Sequence, residues 1–379
     1  MLLNNLRGKI IMKQTFLTEI EIRKVRHLEN ITIPLDKNKR KHLILTGKNG
    51  SGKTSVLEAL VTYFDAIVQS SQSNNMGATA VFDCMTDMQN KFNQGNFIFA
   101  YYKDEREFQV EPYKNIEKIQ LEDHYNINDN PGVKLAKYLV DLKATQAFTK
   151  DSEKSKRIDD WFKKFEKILQ SIFDDAQLKL KFNDETFQFS IHESNREPFD
   201  FNTMSRGYAA ILDIINDLIM RMEAKSGLRT NFEMEGVVLI DEIETHLHLE
   251  LQKKILPVLV GLFPNIQFIV TTHSPFVLNS LENAVIYDLE SRTLVEKGLS
   301  DVPYSGIVEG YFNTDELSDE LRNKFEQYKQ LSQKAELNAD DYEKIADLEL
   351  YLDEIPDYLA LNLTTEYQEL RAKLRNREV

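Results

Sequence analysis

The chain has 379 residues, of which 42% are hydrophobic and 28% are charged, and a formal net charge of −14 at pH 7. A chain of this length can bury a large core and is expected to divide into lobes. Its single cysteine, Cys84, excludes an internal disulfide and a cysteine-based zinc site and favours a cytoplasmic protein. No apolar run approaches the ~20 residues that a membrane span requires, so we expect no membrane partner.

The first predicted elements are strands that lead into a glycine-rich loop. Apolar residues alternate over 16–24 and again over 31–35, a pattern that predicts an antiparallel pair. His42–Thr46 is a short apolar run that predicts a buried strand, and the sequence from 55 onwards has the apolar periodicity of a helix. Between them, residues 47–54 match in full the pattern GxxxxGK followed by Ser or Thr.

This loop has the composition of a phosphate-binding loop. Its glycines allow backbone N–H groups to converge on a phosphate chain, and the helix N-terminus adds partial positive charge there. Lys53 would reach the β- and γ-phosphates of ATP, and the Thr54 hydroxyl would bind Mg²⁺. A chance glycine-rich turn is the alternative, but the flanking strand and helix favour nucleotide binding. The predicted nucleotide-binding residues of the loop are Gly47, Asn49, Gly50, Ser51, Gly52, Lys53, Thr54 and Ser55.

The middle of the chain is predicted to be an insertion of helices and hairpins. Alternating runs separated by turn residues indicate the hairpins, and the second of them turns at Asn183 and Asp184. The predicted segments are a hairpin over 96–103 and 107–112, helices within 114–176, and a hairpin over 178–182 and 187–191.

A long amphipathic helix follows this insertion, because apolar residues recur at helical spacing over 206–222. Ser205 immediately precedes the helix and suits its N-cap position. Gly207 stands in the first turn, where glycine lowers helix stability, and a cap does not account for it. Close approach of a ligand to the backbone does, so we include Ser205 and Gly207 among the predicted nucleotide-binding residues.

Two buried strands are followed by polar residues with the chemistry of an ATPase site. The apolar run 236–240 predicts a strand that carries Asp241 and Glu242 at its C-terminal end, where Asp241 can hold Mg²⁺ and Glu242 can polarise the attacking water. The run 267–271 predicts a further strand that ends close to His273, which can sense the γ-phosphate. An acidic turn or a loop-capping histidine would explain each motif in isolation. Their order behind a phosphate loop favours Glu242 and His273 as catalytic residues and Asp241 as a metal ligand.

The last part of the chain is acidic and helical. Residues 301–379 hold 19 acidic and 9 basic side chains, a net charge of −10, whereas 114–180 is nearly neutral with 13 basic and 12 acidic. No segment has the basic excess of a dedicated duplex-DNA surface, so the charge does not support nucleic acid as a partner. Beyond residue 305 two apolar stripes at helical spacing are Leu317, Leu321, Phe325 and Tyr328, and Tyr342, Ile345, Leu348 and Leu352.

Taken together, the motifs resemble those of ABC-type ATPases. The phosphate loop, the Ser-x-Gly helix start, Asp241 and Glu242, and the segments 245–248 and 272–275 follow one another in the order of that family. They look most like its RecF/SMC/OLD-like branch, which includes small bacterial anti-phage ATPases of the PtuA- or AriA-like kind. The resemblance implies an α/β fold: a P-loop NTPase (ABC-ATPase head) with an N-terminal antiparallel β subdomain, an inserted helical lobe and a helical C-terminal tail.

The resemblance also implies that two ATPase heads sandwich ATP between them. Ser205 and Gly207 would then contact the γ-phosphate bound by the partner subunit, and residues 245–248 would form a loop across the dimer interface. Arg206 and Tyr208 depart from the transporter signature, which has two glycines and a glutamine. The glutamine that the family places near the attacking water has four candidates here, Gln69, Gln72, Gln89 and Gln94.

The predicted domain organisation follows from these assignments. Residues 1–113 form the N-terminal ATPase lobe, 114–200 the inserted helical and hairpin segment, 201–304 the second ATPase lobe, and 305–379 the acidic helical tail. The tail lacks the strands and paired carboxylates of a Toprim nuclease, and the insertion is too short for a coiled coil with a zinc hook. We therefore expect an ATPase that has no effector domain of its own.

The resulting hypothesis is an ATP-hydrolysing sensor or scaffold. It would self-associate through its heads as a homodimer or higher homo-oligomer and regulate a separate effector protein, a nuclease, in bacterial anti-phage defence. A RecF-like ATP-gated DNA-binding repair protein is the alternative, and the nucleotide-binding subunit of a transporter is a third.

Overall fold

The computed structural model describes residues 14–69, 76–106, 116–226, 228, 232–304, 306–307, 319–334, 336–353 and 361–375. The chain divides into two compact units, Met1–Val302 and Pro303–Val379. The described strands of the first unit are β1 Leu17–Val25, β2 Leu28–Pro34, β3 His42–Thr46, β4 Ala78–Phe82, β5 Phe97–Tyr102, β6 Lys179–Asn183, β7 Gln188–His192, β8 Glu235–Ile240, β9 Ile266–Thr271, β10 Ala284–Asp288 and β11 Thr293–Val295. Its helices are α1 Lys53–Val68, α2 Met85–Asn93, α3 Leu135–Phe148, α4 Ser152–Phe173, α5 Arg206–Ser226, α6 Leu249–Leu262 and α7 Pro275–Leu278.

A six-stranded sheet forms the centre of the first unit, with the strand order β11-β10-β3-β9-β8-β5. The five strands from β10 to β5 are mutually parallel, and β11 pairs antiparallel with β10 at the edge. Every residue of β3, β5 and β9 is buried, as expected for continuous apolar runs in a parallel sheet that is covered on both faces.

The carboxyl ends of the parallel strands meet at one edge of this sheet. The register pairs Leu45 of β3 with Thr271 of β9, and Ile240 of β8 with Val270 of β9. The residues that follow these strands therefore gather along the same edge, which is where open α/β sheets bind ligands.

The N-terminal part of the unit is a three-stranded antiparallel sheet with the order β2-β1-β4. The predicted pair is present as β1 and β2, whose register joins Ile20 to Ile33 and Ile22 to Ile31. β4 adds to the other edge of β1, and the sequence did not predict it. The apolar faces of these strands pack with α1 and the central sheet in one core, which includes Phe64 and Phe99. The predicted α/β fold class with an N-terminal antiparallel subdomain is confirmed.

The strand predicted over 96–103 is present as β5, but its described partner is β8, in parallel orientation. Six consecutive apolar residues, all buried, suit a strand covered on both faces better than a half-exposed hairpin. The second half of the predicted hairpin, 107–112, lies outside the described residues.

The insertion contains the predicted helices and the later hairpin. The helical character predicted over 114–176 is limited to a short 3-10 turn at Pro131–Lys134 followed by α3 and α4. β6 pairs antiparallel with β7, and Asn183 Oδ1 accepts hydrogen bonds from the backbone of the turn that follows β6. Trp161 of α4 is buried and donates its ring N–H to Glu223 of α5 at 3.1 Å, which fixes α4 against α5.

The second unit contains the helices α8 Asp319–Gln333, α9 Ala339–Asp353 and α10 Leu361–Arg375. The predicted stripes pack against each other and against α10, so that they cover one another. Of the predicted residues, Leu317 lies outside the described residues and Tyr342 is exposed. The buried core is Phe325, Tyr328, Ile345, Leu348, Leu352, Leu363, Tyr367, Leu370 and Leu374. Within the described residues of both units, none of the helices has the length and apolar character that crossing a bilayer requires.

Candidate nucleotide-binding site

The glycine-rich loop joins β3 to α1 at the carboxyl edge of the central sheet. Gly47, Gly50 and Gly52 all have positive φ angles, of 134°, 83° and 98°, a conformation that glycine adopts without strain. A Cβ on Gly47 would lie 2.8 Å from the Ser51 hydroxyl oxygen, so the curl of the loop requires glycine there. α1 begins at Lys53, and the free N–H groups of its first turn therefore adjoin the loop.

Lys53 links the loop to the residues at the end of β8. Its ammonium group donates hydrogen bonds to the carbonyls of Gly47 at 2.9 Å and Lys48 at 3.3 Å. Burial lowers the pKa of Lys53, and the nearby carboxylates of Glu242 and Asp241 oppose that effect. The structure thus brings the cation of the predicted phosphate loop within electrostatic reach of both predicted acidic residues.

Asp241 is fully buried, yet only one of its carboxylate oxygens is hydrogen-bonded. Oδ1 accepts a hydrogen bond of 2.6 Å from the Thr271 hydroxyl, whereas Oδ2 has no hydrogen-bond partner among the described residues. Hard oxygen ligands of this kind suit Mg²⁺, which proteins commonly bind through one or two carboxylates together with substrate phosphates. The free oxygen of Asp241 and the exposed Thr54 hydroxyl fit that requirement. Across the described residues, no cluster of three or more His, Cys, Asp or Glu side chains forms a metal site independent of a phosphate.

Glu242 occupies a strained position beside the same carboxylate. Its φ of 40° lies in the left-handed region that non-glycine residues rarely adopt. Its backbone N–H donates to the Thr271 hydroxyl oxygen at 2.7 Å. Partial burial, together with Glu244 and Asp241, raises the pKa of Glu242, which makes its carboxylate a better proton acceptor.

His273 follows β9 and faces Glu242. Its Nε2 lies 3.8 Å from Glu242 Oε1, and this buried nitrogen has no hydrogen-bond partner among the described residues. Burial and the charge of Lys53 lower the pKa of His273, which favours the neutral form of the ring. Its backbone N–H donates to Glu244 Oε1, which orients the residue. A neutral ring with a free nitrogen can donate or accept one hydrogen bond to a phosphate or a water.

Ser205 and Gly207 lie at the start of α5, which begins at Arg206. Among the described residues, neither Ser205 nor Gly207 has a hydrogen bond to the phosphate loop, Asp241 or His273 of the same chain. A Cβ on Gly207 would lie 3.1 Å from the His246 carbonyl oxygen. Close packing against the 245–248 segment therefore explains this glycine within one chain, in addition to the ligand approach that the sequence suggested.

The structure describes three of the four glutamine candidates, and each lies on or directly after α1 or α2. Gln69 follows the last residue of α1, a helix of 16 residues, and so lies about 24 Å along the helix from the phosphate loop. Gln89 is on α2 and Gln94 directly follows it. Gln72 lies outside the described residues.

Three residues of the site were missed by sequence reasoning, namely Thr271, Glu244 and Arg106. Thr271 was visible as a hydroxyl at the end of an apolar strand, and Glu244 as a third carboxylate after β8. Arg106 gave no signal, because it contacts the Asp241 carbonyl across a separation of 135 residues.

Comparisons with known proteins agree with these motifs. A family model described as AAA domain, putative AbiEii toxin, Type IV TA system matches residues 43–279. The chain is 25% identical to a Septu protein PtuA of Bacillus mycoides, over 96% of this chain and 54% of that protein, and 27% identical to a Septu protein PtuA of Bacillus thuringiensis, over 62% and 67%. It is 31% identical to the Retron Ec83 probable ATPase of Escherichia coli, over 41% of this chain and 30% of that protein.

The chain therefore spans about half the length of the first of these relatives. Among solved structures, a SmcHead bound to the C-winged helix domain of ScpA aligns with 76% of this chain and 100% of that chain, at a TM-score of 0.42 and 12% identity.

Proposed function

The chain belongs to the family described as AAA domain, putative AbiEii toxin, Type IV TA system, and from that membership we propose that it binds ATP at the 47–54 loop and hydrolyses it. The resemblance to ABC-type ATPases is confirmed at the level of the family. The chain thus contains an ATPase domain. We propose its reaction, its substrate and its partners below.

One observation carries this proposal: Lys53, Asp241, Glu242 and His273 converge at the carboxyl edge of one sheet although they come from three separate strand ends. Lys53 would neutralise charge on the β- and γ-phosphates. Glu242 would accept a proton from water as the water oxygen bonds to the γ-phosphorus. The bond from that phosphorus to the β–γ bridging oxygen then breaks, which yields ADP and phosphate.

Asp241 and Thr54 would hold Mg²⁺, which when bound neutralises charge on the phosphate oxygens. His273 would hydrogen-bond the γ-phosphate or the attacking water through its free Nε2. Its neutral ring suits either role, since a hydrogen bond there requires no prior loss of a proton.

We further propose that the active site is completed by a second copy of the chain. Ser205 and Gly207 have no hydrogen bond to the phosphate loop of their own chain in the described residues, which is compatible with a contact to the partner's nucleotide. Gly207 packs on the His246 carbonyl, so the start of α5 and the 245–248 segment form one surface. Both would face the phosphate loop of the other head.

The biological role that we propose is anti-phage defence, in which the ATPase regulates a separate effector nuclease. The relatives named Septu protein PtuA and Retron Ec83 probable ATPase support this assignment, together with the motif order. The alternative, ATP-gated DNA binding, has weaker support because the chain is acidic overall, with a net charge of −14, although residues 1–53 hold 12 basic and 4 acidic side chains.

The deciding experiment is steady-state ATP hydrolysis by the purified chain, with and without duplex DNA. We expect Mg²⁺-dependent release of phosphate from the wild type and none from Lys53→Ala. Absence of hydrolysis by a folded wild type in all conditions would overturn the proposal, whereas stimulation by duplex DNA alone would favour the alternative.

A further inference from the structure

Arg106 lies four residues beyond β5 and is buried, at 7% exposure. Its Nη1 donates to the carbonyls of Asp241 at 3.0 Å and Lys103 at 3.3 Å. Its Nη2 donates to the carbonyls of Glu242 at 3.1 Å and Ile243 at 3.3 Å. One guanidinium group thus binds three consecutive carbonyls of the acidic turn that follows β8.

This turn needs such support because of its backbone conformation. Glu242 has a φ of 40°, and non-glycine residues keep such angles only where the surroundings determine them. Thr271 holds one side of the turn through its hydroxyl and its carbonyl, which accepts the Ile243 N–H at 3.1 Å. Arg106 holds the other side, so that the turn is fixed between β5 and β9.

The chemistry of the contact is specific to arginine. Burial lowers the pKa of Arg106, and the carboxylates of Asp213, Glu244 and Asp241 oppose this effect. The guanidinium remains a cation, as arginine does throughout proteins. The planar guanidinium presents several N–H donors in a fixed fork, which a lysine ammonium cannot reproduce. Carbonyl acceptors at fixed positions on two segments match that fork.

We propose that Arg106 is a positioning residue for ATP hydrolysis, a role that rests on the proposed function. By fixing the carbonyls of 241–243, it sets the direction in which the Glu242 carboxylate faces the phosphate loop. In this role Arg106 acts through the turn whose carbonyls it binds, so it affects turnover and leaves ATP binding to Lys53 and its loop.

The test compares Arg106→Lys with Arg221→Lys as a matched control. Arg221 is also buried and donates to the carbonyls of Phe99 at 3.2 Å and Asn126 at 3.0 Å and to the buried Asp217 carboxylate at 2.7 Å, an ion pair that lysine can keep. None of its hydrogen bonds within the described residues goes to the acidic turn. Two quantities are measured: kcat and KM for ATP, and amide hydrogen exchange of 241–246 in the absence of nucleotide.

For Arg106→Lys we expect kcat to fall by about tenfold to a hundredfold, since small misplacements of a reacting group have effects of that size. KM for ATP should change less than about twofold, and amides of 241–246 should exchange faster. Arg221→Lys should leave exchange in that turn unchanged and retain most of kcat. Unchanged kcat and unchanged exchange in Arg106→Lys, or an equal fall in kcat for both variants, would overturn the proposal.

The exchange measurement separates this inference from the proposed function. If the wild type fails to hydrolyse ATP, the proposed function is wrong and the kinetic role of Arg106 fails with it. Amide hydrogen exchange of 241–246 still shows, independently of activity, whether Arg106 holds the turn. If the wild type hydrolyses ATP and the exchange of Arg106→Lys matches the wild type, only the inference about Arg106 is wrong.

Discussion

The Thr271 hydroxyl donates a hydrogen bond of 2.6 Å to Oδ1 of Asp241, and both residues are fully buried. The Thr271 hydroxyl oxygen also accepts a hydrogen bond from the Glu242 N–H at 2.7 Å. One hydroxyl at the end of β9 therefore fixes a side chain and a backbone group at the end of β8. The relative position of the proposed metal ligand and the proposed base depends on this bridge between adjacent strands.

Thr271→Val should disrupt this bridge while preserving side-chain shape. The substitution removes the only hydrogen bond to the Asp241 carboxylate among the described residues and leaves the Glu242 N–H without its acceptor. Leaving a buried polar group unsatisfied costs about 1–3 kcal/mol, so we expect a loss of that order in the free energy of unfolding, together with reduced turnover. Denaturant unfolding and ATPase assays measure both quantities. Thr271→Ser is the control, because it keeps the hydroxyl, and equal loss in both variants would contradict this account.

The roles of Lys53 and Glu242 differ in kind, and substitution should separate them. Lys53→Ala should abolish ATP binding, because Lys53 supplies ground-state contacts to the phosphates. Glu242→Gln should bind ATP but barely turn it over, because an amide cannot accept the proton from water. Equilibrium binding of a fluorescent ATP analogue and phosphate release measure the two effects. Normal turnover in Glu242→Gln would exclude it as the base and direct attention to His273.

If two chains share each active site, two inactive variants should complement each other. Ser205→Arg would block the surface that contacts the partner's nucleotide, and Lys53→Ala would remove binding in its own loop. A mixed dimer would retain about one intact composite site, so the mixture should regain ATPase activity that neither variant has alone. Subunit exchange is verified first with differently labelled chains. No recovery in a mixture that does exchange would refute the shared-site arrangement.

The sequence predicts the phosphate loop and the ends of β8 and β9 because these motifs are local and have fixed spacing. Contacts between distant segments were not predictable in the same way. The Thr271 bridge and the Arg106 contacts depend on strand order, which places β9 and β5 on either side of β8. β10 and β11 were missed because they are short runs whose pairing depends on the rest of the sheet. The packing of Gly207 against the His246 carbonyl is likewise a contact between distant segments that the sequence does not reveal.

Acid should destabilise the first unit in part through His42, the first residue of β3. His42 is buried, and its Nδ1 accepts the Phe268 N–H at 3.1 Å, so the ring is neutral. Burial, with a contribution from Arg40 and Lys41, lowers the pKa of His42 to about 3. In the unfolded chain the pKa of this histidine is about 6.5. Between pH 6.5 and pH 3, His42 is therefore protonated in the unfolded chain and neutral in the folded chain. The contribution of His42 to the free energy of unfolding is fully present above pH 6.5 and falls by about 1.4 kcal/mol per pH unit below that value.

His42→Asn tests this effect, because Asn Oδ1 can accept the same hydrogen bond without titrating. Between pH 6.5 and pH 5, the free energy of unfolding of the wild type should fall by about 2 kcal/mol more than that of the variant. Denaturant unfolding at each pH measures this difference, and the other titrating groups cancel in the comparison. Parallel curves for the two proteins would show that His42 does not carry the effect.

The second unit is proposed to be an assembly or effector-docking module that takes no part in catalysis. Most of its apolar stripe residues are covered by one another and by α10. The exposed surface therefore carries mainly polar and acidic residues, together with the exposed Tyr342 and Leu350, and we place the docking contact on the acidic residues. Glu320 and Glu343 are exposed and described, while Glu316 lies outside the described residues. Glu320 pairs with Lys324 at 3.4 Å, an exposed ion pair that contributes little to stability. Lysine at both positions should therefore leave folding and basal ATPase activity intact, since surface substitutions usually change stability by less than about 0.5 kcal/mol each.

The same double substitution should nevertheless weaken oligomer formation, measured as molar mass by light scattering over a range of protein concentrations with ATP present. The matched control is Asp184→Lys with Glu185→Lys, which makes an equal change of charge at exposed positions of the β6–β7 turn. The control should keep the wild-type mass. A Glu320→Lys, Glu343→Lys protein that stays folded and also keeps that mass would mean that these acids form only a solvated face.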